Sequence, residues 1–229
     1  MKTEQLWSGL NVLFDQAEAF ETFEKDAYLF REGDESEKLF LLKAGQVKIS
    51  KLSNDGNELT LRHSVPGDLV GELSLIEDDV THILNAQMLT DGNVAVISKN
   101  VLKENLLQNG TLALEFIQLM SEYARRDQTR FRDLVMFGKK GALYSTLIRL
   151  ANSYGYFDGR TIKITNRMTD QNLADFCGTS RESINRLMSE LKRKKVISAA
   201  RGYITIHDLD YLKTAINCGD CPLDICNIH

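Results

Sequence analysis

Three cysteines, Cys218, Cys221 and Cys226, stand in the spacing C-x2-C-x4-C, and His229 follows them. Thiolates are soft donors, and a loop this short can wrap them around one soft metal centre. Pro222 directly after Cys221 matches loops that carry iron–sulfur clusters, where three thiolates leave one iron of a cubane open. The same cysteines with His229 also form a Cys3His set of plausible zinc spacing, and an unliganded or disulfide-forming tail is a third reading. Cys177 falls on the apolar face of a helix, where a core role outweighs ligation. Four cysteines in 229 residues do not make a disulfide scaffold.

A second constellation lies between Thr169 and Met188. Thr169 can cap a first helix whose apolar face is Leu173, Phe176 and Cys177, with Ala174 small enough for a close helix crossing. Gly178 ends it. A second helix then starts with Thr179 and Glu182 in capping-box spacing and buries Ile184, Leu187 and Leu191. This pattern predicts a helix-turn-helix. Its exposed face presents Ser180, Arg181, Glu182, Ser183, Asn185 and Arg186, groups that read a major groove: arginine forks onto guanine O6 and N7, and glutamate accepts from cytosine N4. The basic run Lys192, Arg193, Lys194 and Lys195 suits phosphates, and 196–206 predicts a wing.

The elements that must position these groups differ along the chain. Residues 28–98 alternate with period two between turns at Gly45, Asn54–Asn57 and Pro66–Asp68, which predicts an antiparallel β-roll. Residues 101–137 switch to helical periodicity, with Leu112, Phe116, Leu119, Tyr123 and Leu134 as a stripe expected to be a dimer seam. The fold class read from this order is α+β: a roll over 1–110, a dimerisation helix over 111–137, a winged helix-turn-helix over 138–210 and a Cys-rich tail over 211–229. Residues 1–133 hold 14 Lys and Arg against 23 Asp and Glu, a net of −9; residues 134–229 hold 14 against 9, a net of +5. An acidic module joined to a basic one fits a sensor joined to a DNA reader.

Composition excludes other classes. A hydrophobic content of 43% with two prolines is globular. No apolar run approaches the roughly 20 residues of a membrane-spanning helix, and the first ten residues lack a signal-peptide core, so a cytoplasmic protein without membrane contact is expected. The four histidines, at 63, 82, 207 and 229, are scattered, and no catalytic constellation emerges, so an enzyme is not expected.

Gly67 to Leu73 in the roll and Thr179 to Arg186 in the second helix carry a resemblance to the CRP/FNR family of transcription regulators over roughly residues 20–210. That resemblance implies a homodimer on a palindrome, with RNA polymerase as a partner. It places Arg181, Glu182 and Arg186 at base-reading positions and Thr169, Gln171 and Ser180 at phosphate-contacting ones, with Ser183 on the same face. Arg181 implies a TGTGA-like half-site. The family's phosphate-binding Arg-Ser pair is replaced by His82 and Ile83, Asp78 and Asp79 would repel a phosphate, and the adenine-contacting Thr-Ser pair is replaced by Arg130 and Phe131. Cyclic-nucleotide binding is therefore not expected, and Glu72 reads as a structural remnant. The C-terminal cysteines resemble the Bacillus-type FNR, which implies a [4Fe-4S] cluster completed by Asp133 and an oxygen response. The alternatives are a regulator of the same fold with a structural Zn2+ in the Cys3His set and no redox sensing, or one that senses a small molecule in the roll.

Overall fold

The computed structural model describes residues 8–71, 75, 79–219 and 221–229. The alternating segments become β1 (Ala19–Phe23), β2 (Tyr28–Phe30), β3 (Lys38–Ala44), β4 (Val47–Leu52), β5 (Glu58–Ser64), β6 (Leu69–Val70), β7 (Asn85–Met88) and β8 (Gly92–Ser98). They form two four-stranded sheets, ordered β1-β8-β3-β6 and β2-β7-β4-β5. Phe40, Leu42, Val47, Ile49, Met88, Val94 and Val96 fill one core of the roll. The alternate residues of β3 and β8, Leu39, Leu41, Ala95 and Ile97, belong to a second core with Leu10 and Phe14 of α1 (Ser8–Asp15). Burial on both faces explains why β3 and β8 read as continuous apolar runs. At the β3–β4 corner Gly45 has φ +93°, and a Cβ there would meet Asp91 O at 2.8 Å, so the turn requires glycine.

The helical region is two helices. α2 (Lys99–Gln108) ends at Asn109, an extended residue, and α3 runs Gly110–Tyr154. Asn109 Oδ1 accepts from Thr111 N at 3.1 Å and Leu112 N at 3.2 Å, which caps α3. A second break falls inside α3 at Gly138, whose φ of 59° and ψ of −159° are not helical.

The stripe expected to be the dimer seam is core within the chain. Leu112, Leu119 and Tyr123 are buried in the second core of the roll, with Phe116 packed beside them, each full burial being worth about 1.5–3 kcal/mol. Tyr123 Oη also accepts from Leu69 N at 3.1 Å, and the Arg62 guanidinium lies 4.3 Å from the centre of its ring. A different row faces solvent: Leu114, Ile117, Ser121, Ala124, Gln128, Phe131 and Val135 are all exposed. Their steps of three and four residues are those of a coiled-coil seam.

The chain divides into two units, one with residues up to Leu52 and Leu61–Tyr123, the other with Ser53–Thr60 and Ala124–His229. The second holds β9 (Gly155–Phe157), β10 (Ile162–Ile164), α4 (Asp170–Phe176), α5 (Arg181–Arg193), β11 (Ile197–Ala200), β12 (Tyr203–Ile206) and α6 (Leu209–Ala215). Its sheet is ordered β11-β12-β10-β9. One core joins Tyr144, Leu147, Leu173, Ile184, Leu191 and Ile206 to Ile216, Cys226 and Ile228. The cysteine-bearing tail is thus part of the same core as the helix-turn-helix. Among the described residues, no helix is long and apolar enough to cross a membrane.

Candidate nucleic-acid interface and thiol cluster

α4 and α5 flank a turn in which Gly178 has φ +54°, the left-handed conformation that ends the first helix. Two local expectations shift by a residue. The cap of α5 is Ser180, not Thr179: Ser180 Oγ accepts from Ser183 N at 3.3 Å, while Thr179 N donates back to Ala174 O at 3.1 Å. The buried row of α5 is Ile184, Met188 and Leu191, at i, i+4 and i+7, with Leu187 only half-buried at its edge. Phe176 is likewise only half-buried on α4. The reciprocal capping box belongs to α4, where Thr169 Oγ1 accepts from Asn172 N at 3.1 Å and Asn172 Oδ1 accepts from Thr169 N at 3.0 Å.

Arg181, Glu182 and Arg186 are exposed on α5, and Arg181, Glu182 and Asn185 line a shallow depression. The Glu182 carboxyl is held below the usual carboxylate range, first by its own backbone N–H at the helix start, then by Ser180 and the charge of Arg181. It is therefore an ionised acceptor at neutral pH. Ser183 Oγ lies 3.2 Å from Ser180 Oγ. Gln171 Nε2 donates to Asp175 Oδ1 at 2.7 Å, and Asn185 Nδ2 to Asp170 Oδ2 at 3.0 Å, so the two helices present a locked face. The basic run is not uniform: Lys194 pairs with Glu190 at 2.9 Å and donates to Tyr211 Oη at 2.7 Å, which leaves Lys192, Arg193 and Lys195 for phosphates. The wing turn, Arg201 and Gly202, has φ of 53° and 86°. Its exposed Arg201 is a phosphate candidate that strand alternation alone did not single out.

Behind the reader, the tail turns back onto α3. Cys226 is buried and Cys218 and Cys221 are half-buried against the same core. Burial pushes the Cys226 thiol up; Arg149 opposes this, and the charges of Cys218, Cys221 and Asp133 add to it. The three spaced thiols and Asp133 therefore lie in one electrostatic neighbourhood. Asp133, 2% exposed, is fully engaged. Its Oδ1 accepts from Arg132 Nε at 2.9 Å and Nη2 at 2.6 Å, and its Oδ2 accepts from Ser145 Oγ at 2.6 Å and pairs with Arg149 at 3.6 Å. Among the described residues no three His, Cys, Asp or Glu side chains are drawn together tightly enough for one metal ion.

Basic side chains of α3 clamp the tail through its main chain, a contact the sequence did not signal. Arg126 Nε donates to Asp224 O at 2.8 Å, Arg130 Nη2 to Asn227 O at 2.9 Å, and Arg149 Nη1 to Ile225 O at 3.0 Å. Asn152 Nδ2 donates to Cys226 O at 2.6 Å, and Ile228 N to Ser153 Oγ at 2.9 Å.

His229 is drawn elsewhere. Its ring meets Tyr154 edge-on at 5.2 Å, and its pKa is pulled down to about 4 by burial, then by Arg126 and Arg130. Two neighbouring cations disfavour a divalent ion there. Cys177 is 1% exposed in the core, with its thiol pushed up to about 12 by burial. In the roll, His82 is 2% exposed and stacks on Phe30 at 3.6 Å, while Ile83 faces solvent. Glu72 and Asp78 lie outside the described residues.

The Cyclic nucleotide-binding domain family matches residues 20–109, and the Crp-like helix-turn-helix domain family matches residues 141–215. The "Anaerobic regulatory protein" of Bacillus subtilis (strain 168) is 47% identical over 222 residues, 96% of this chain and 93% of that one. A "CRP-like cAMP-activated global transcriptional regulator" of Mycobacterium tuberculosis (strain ATCC 25618 / H37Rv) is 24% identical, covering 83% of this chain and 84% of that one. The crystal structure of a CRP-family transcriptional regulator from Thermus thermophilus superimposes with a TM-score of 0.66 at 23% identity, over 86% of this chain and 96% of that one. That last likeness shows the fold alone.

Proposed function

Because the chain belongs to the CRP/FNR family of DNA-binding transcription regulators, we propose that it is a cytoplasmic, oxygen-responsive regulator. It acts as a homodimer on a palindromic TGTGA-like site, with RNA polymerase as its downstream partner. A [4Fe-4S] cluster held by Cys218, Cys221, Cys226 and Asp133 is the sensor. The observation that carries this reading is the C-x2-C-x4-C tail itself, with Cys226 buried and Cys218 and Cys221 half-buried against one core. Thiolates suit iron–sulfur chemistry, and the 47% identity to the anaerobic regulator favours the same sensing class.

When bound, the cluster supplies oxygen-sensitive iron–sulfur bonds. The residues of the chain do the rest. Asp133 precedes the Gly138 break and Ser145 follows it, and their 2.6 Å hydrogen bond spans the break. A ligand change at Asp133 therefore acts on the angle between the two parts of α3, and the tail core passes it to Leu173 and Ile184 of the reader. The exposed row from Leu114 to Val135 is the seam for the second copy, which sets the two readers one DNA turn apart.

Within the reader, Arg181 and Arg186 fork onto guanines, Glu182 accepts from cytosine, and Thr169, Gln171, Ser180 and Ser183 line the path of the phosphates. The roll is not a cyclic-nucleotide sensor: the His82 ring is packed against Phe30, and Arg130 is committed to Asn227 O. Anaerobic purification tests the whole. The expected result is a brown protein with matched iron and acid-labile sulfide, no zinc, and DNA affinity that falls as air bleaches it. A colourless protein with stoichiometric zinc would overturn it, and calorimetric binding of cyclic AMP would overturn the reading of the roll.

A further inference from the structure

The C-terminal end of α5 is held by polar partners from three helices. Lys194, the residue that caps α5, donates to Tyr211 Oη of α6 at 2.7 Å and pairs with Glu190 Oε1 at 2.9 Å. Lys140 of α3 reaches the same Glu190 oxygen at 3.9 Å, and its ammonium lies 5.6 Å from the centre of the Tyr144 ring. Tyr144 is 1% exposed, and its ring meets that of Tyr211 at 6.2 Å. Each group favours the charge of the next: Lys194 is held above its ordinary range, first by Tyr211 and then by Glu190, and Glu190 below its own, first by Lys194. Nearer the start of α5, Asn185 is tied to Asp170 of α4 at 3.0 Å. Burial of Ile184, Met188 and Leu191 holds the helix without directional bonds; the polar ties toward its two ends constrain its tilt.

We propose that Tyr211 is a positioning residue for DNA reading: through Lys194 and Glu190 it fixes the C-terminal end of α5 against α6, and so sets the tilt at which Arg181, Glu182 and Arg186 meet the groove. This rests on the DNA-reading assignment of α5 above. A helix of this length is about 20 Å long, so a tilt of about 6° around its middle moves its first residue by about 1 Å, enough to spoil hydrogen bonds to bases. Lys194 belongs to a basic run, and the rival role for it is direct contact with a phosphate. The two roles differ in salt dependence. Loss of a phosphate contact weakens every duplex alike and reduces the slope of log affinity against log salt by about 0.9 per copy. Loss of an anchor leaves that slope unchanged and weakens base reading alone.

The test uses the full chain, prepared without oxygen, as wild type, Tyr211→Phe, Lys194→Met, Lys194→Arg and the double variant Tyr211→Phe/Lys194→Met. Binding to a TGTGA palindrome and to a scrambled duplex of equal length is measured over a range of salt concentrations. Tyr211→Phe keeps the ring and its packing and removes only the hydroxyl. It is expected to weaken binding to the palindrome about fivefold per half-site, the factor for a hydrogen bond to a charged group after solvent screening, and to leave the scrambled duplex unaffected. Lys194→Met is expected to match it with an unchanged salt slope, the double variant to lose no more than either single one, and Lys194→Arg to recover most of the loss. A slope lowered by about 0.9 per copy in Lys194→Met, with Tyr211→Phe binding as wild type, would overturn the positioning role and make Lys194 a phosphate contact. Additive losses in the double variant, or equal losses on both duplexes, would overturn it as well, while a wild-type preference for the palindrome keeps the reader intact. Equal binding of the two duplexes by wild type would overturn both.

Discussion

Replacing Arg149 by methionine keeps most of the side-chain volume and removes the guanidinium on which the tail rests. Arg149 is 2% exposed, with five partners: Ser145 Oγ at 3.2 Å, Thr129 Oγ1 at 2.9 Å, Asp133 Oδ2 at 3.6 Å, Ile225 O at 3.0 Å and Asn227 O at 3.5 Å. Removing one partner of a buried ion pair costs about 3–5 kcal/mol, because the other charge stays behind. Here Asp133 keeps both Arg132 bonds, which puts that part at the low end. The carbonyl of Ile225 loses its donor, adding about 1–3 kcal/mol if it stays buried. The chain can avoid the second cost by undocking the tail, since regions open locally when that is cheaper than unfolding. The Asp133 part is the same with the tail docked or undocked, because both residues lie on α3; Arg149→Met is therefore expected to lower the opening free energy of the tail by about 1–3 kcal/mol, which accelerates amide exchange there by roughly 5- to 150-fold. Ile228 N, bonded to Ser153 Oγ at 2.9 Å, is the reporter. Hydrogen exchange read by mass spectrometry on the reduced, cluster-free protein makes the measurement. Acceleration below about fivefold in the C-terminal peptide would refute the reasoning that the buried guanidinium holds the tail.

Phe131→Asp removes a 68% exposed ring from the exposed α3 row; if this is the dimer seam, about 2 kcal/mol per copy is lost and dimer dissociation rises by roughly a thousandfold, seen by sedimentation. Leu119→Ala, on the buried row, is expected to destabilise the roll and leave the dimer constant nearly unchanged. Gly138→Ala meets no atom within 4 Å, so its cost is backbone strain alone, about 1–3 kcal/mol in urea unfolding. Arg181→Ala is expected to cost about 1–3 kcal/mol of DNA affinity and to relax one G·C position of the half-site; an unchanged ranking of TGTGA variants would refute that pairing. His229, with its pKa pulled down to about 4, stays neutral in the folded chain while the unfolded chain gains a proton as pH falls below about 6.5. Tail docking is thus expected to weaken between those values, and His229→Gln is expected to remove that step from the pH profile of hydrogen exchange.

The wing strand Tyr203–Ile206 and the Gly178 turn were legible because alternation and a left-handed glycine are local signals. The seam was not. α3 carries two apolar rows, Leu112/Phe116/Leu119/Tyr123 and Leu114/Ile117/Phe131/Val135, and sequence shows apolarity without showing what covers it. The first row has the aromatic residues and reads as the stronger stripe, yet the roll of the same chain already buries it. A helix built into its own domain on one side and left open on the other produces this ambiguity.

The partners of the arginines from 125 to 132 were not legible for a related reason. Their targets include main-chain carbonyls at 224, 227 and 229, which carry no side-chain signature. Once those contacts are known, the placement of Asp133 and the tail follows a physical logic. Asp133 lies where a run of α3 donors meets the tail, and its hydrogen bond to Ser145 crosses the Gly138 break. The tail residues Ile225, Cys226 and Ile228 are buried, and Cys226 and Ile228 share a core with Leu173 and Ile184 of the reading helices. Interiors are close-packed, so a displaced tail leaves a void that Leu173 and Ile184 must relax into or bear. Coupling between thiols and DNA reader therefore needs no separate relay: the residues that would hold the cluster are part of the packing that holds the helix-turn-helix.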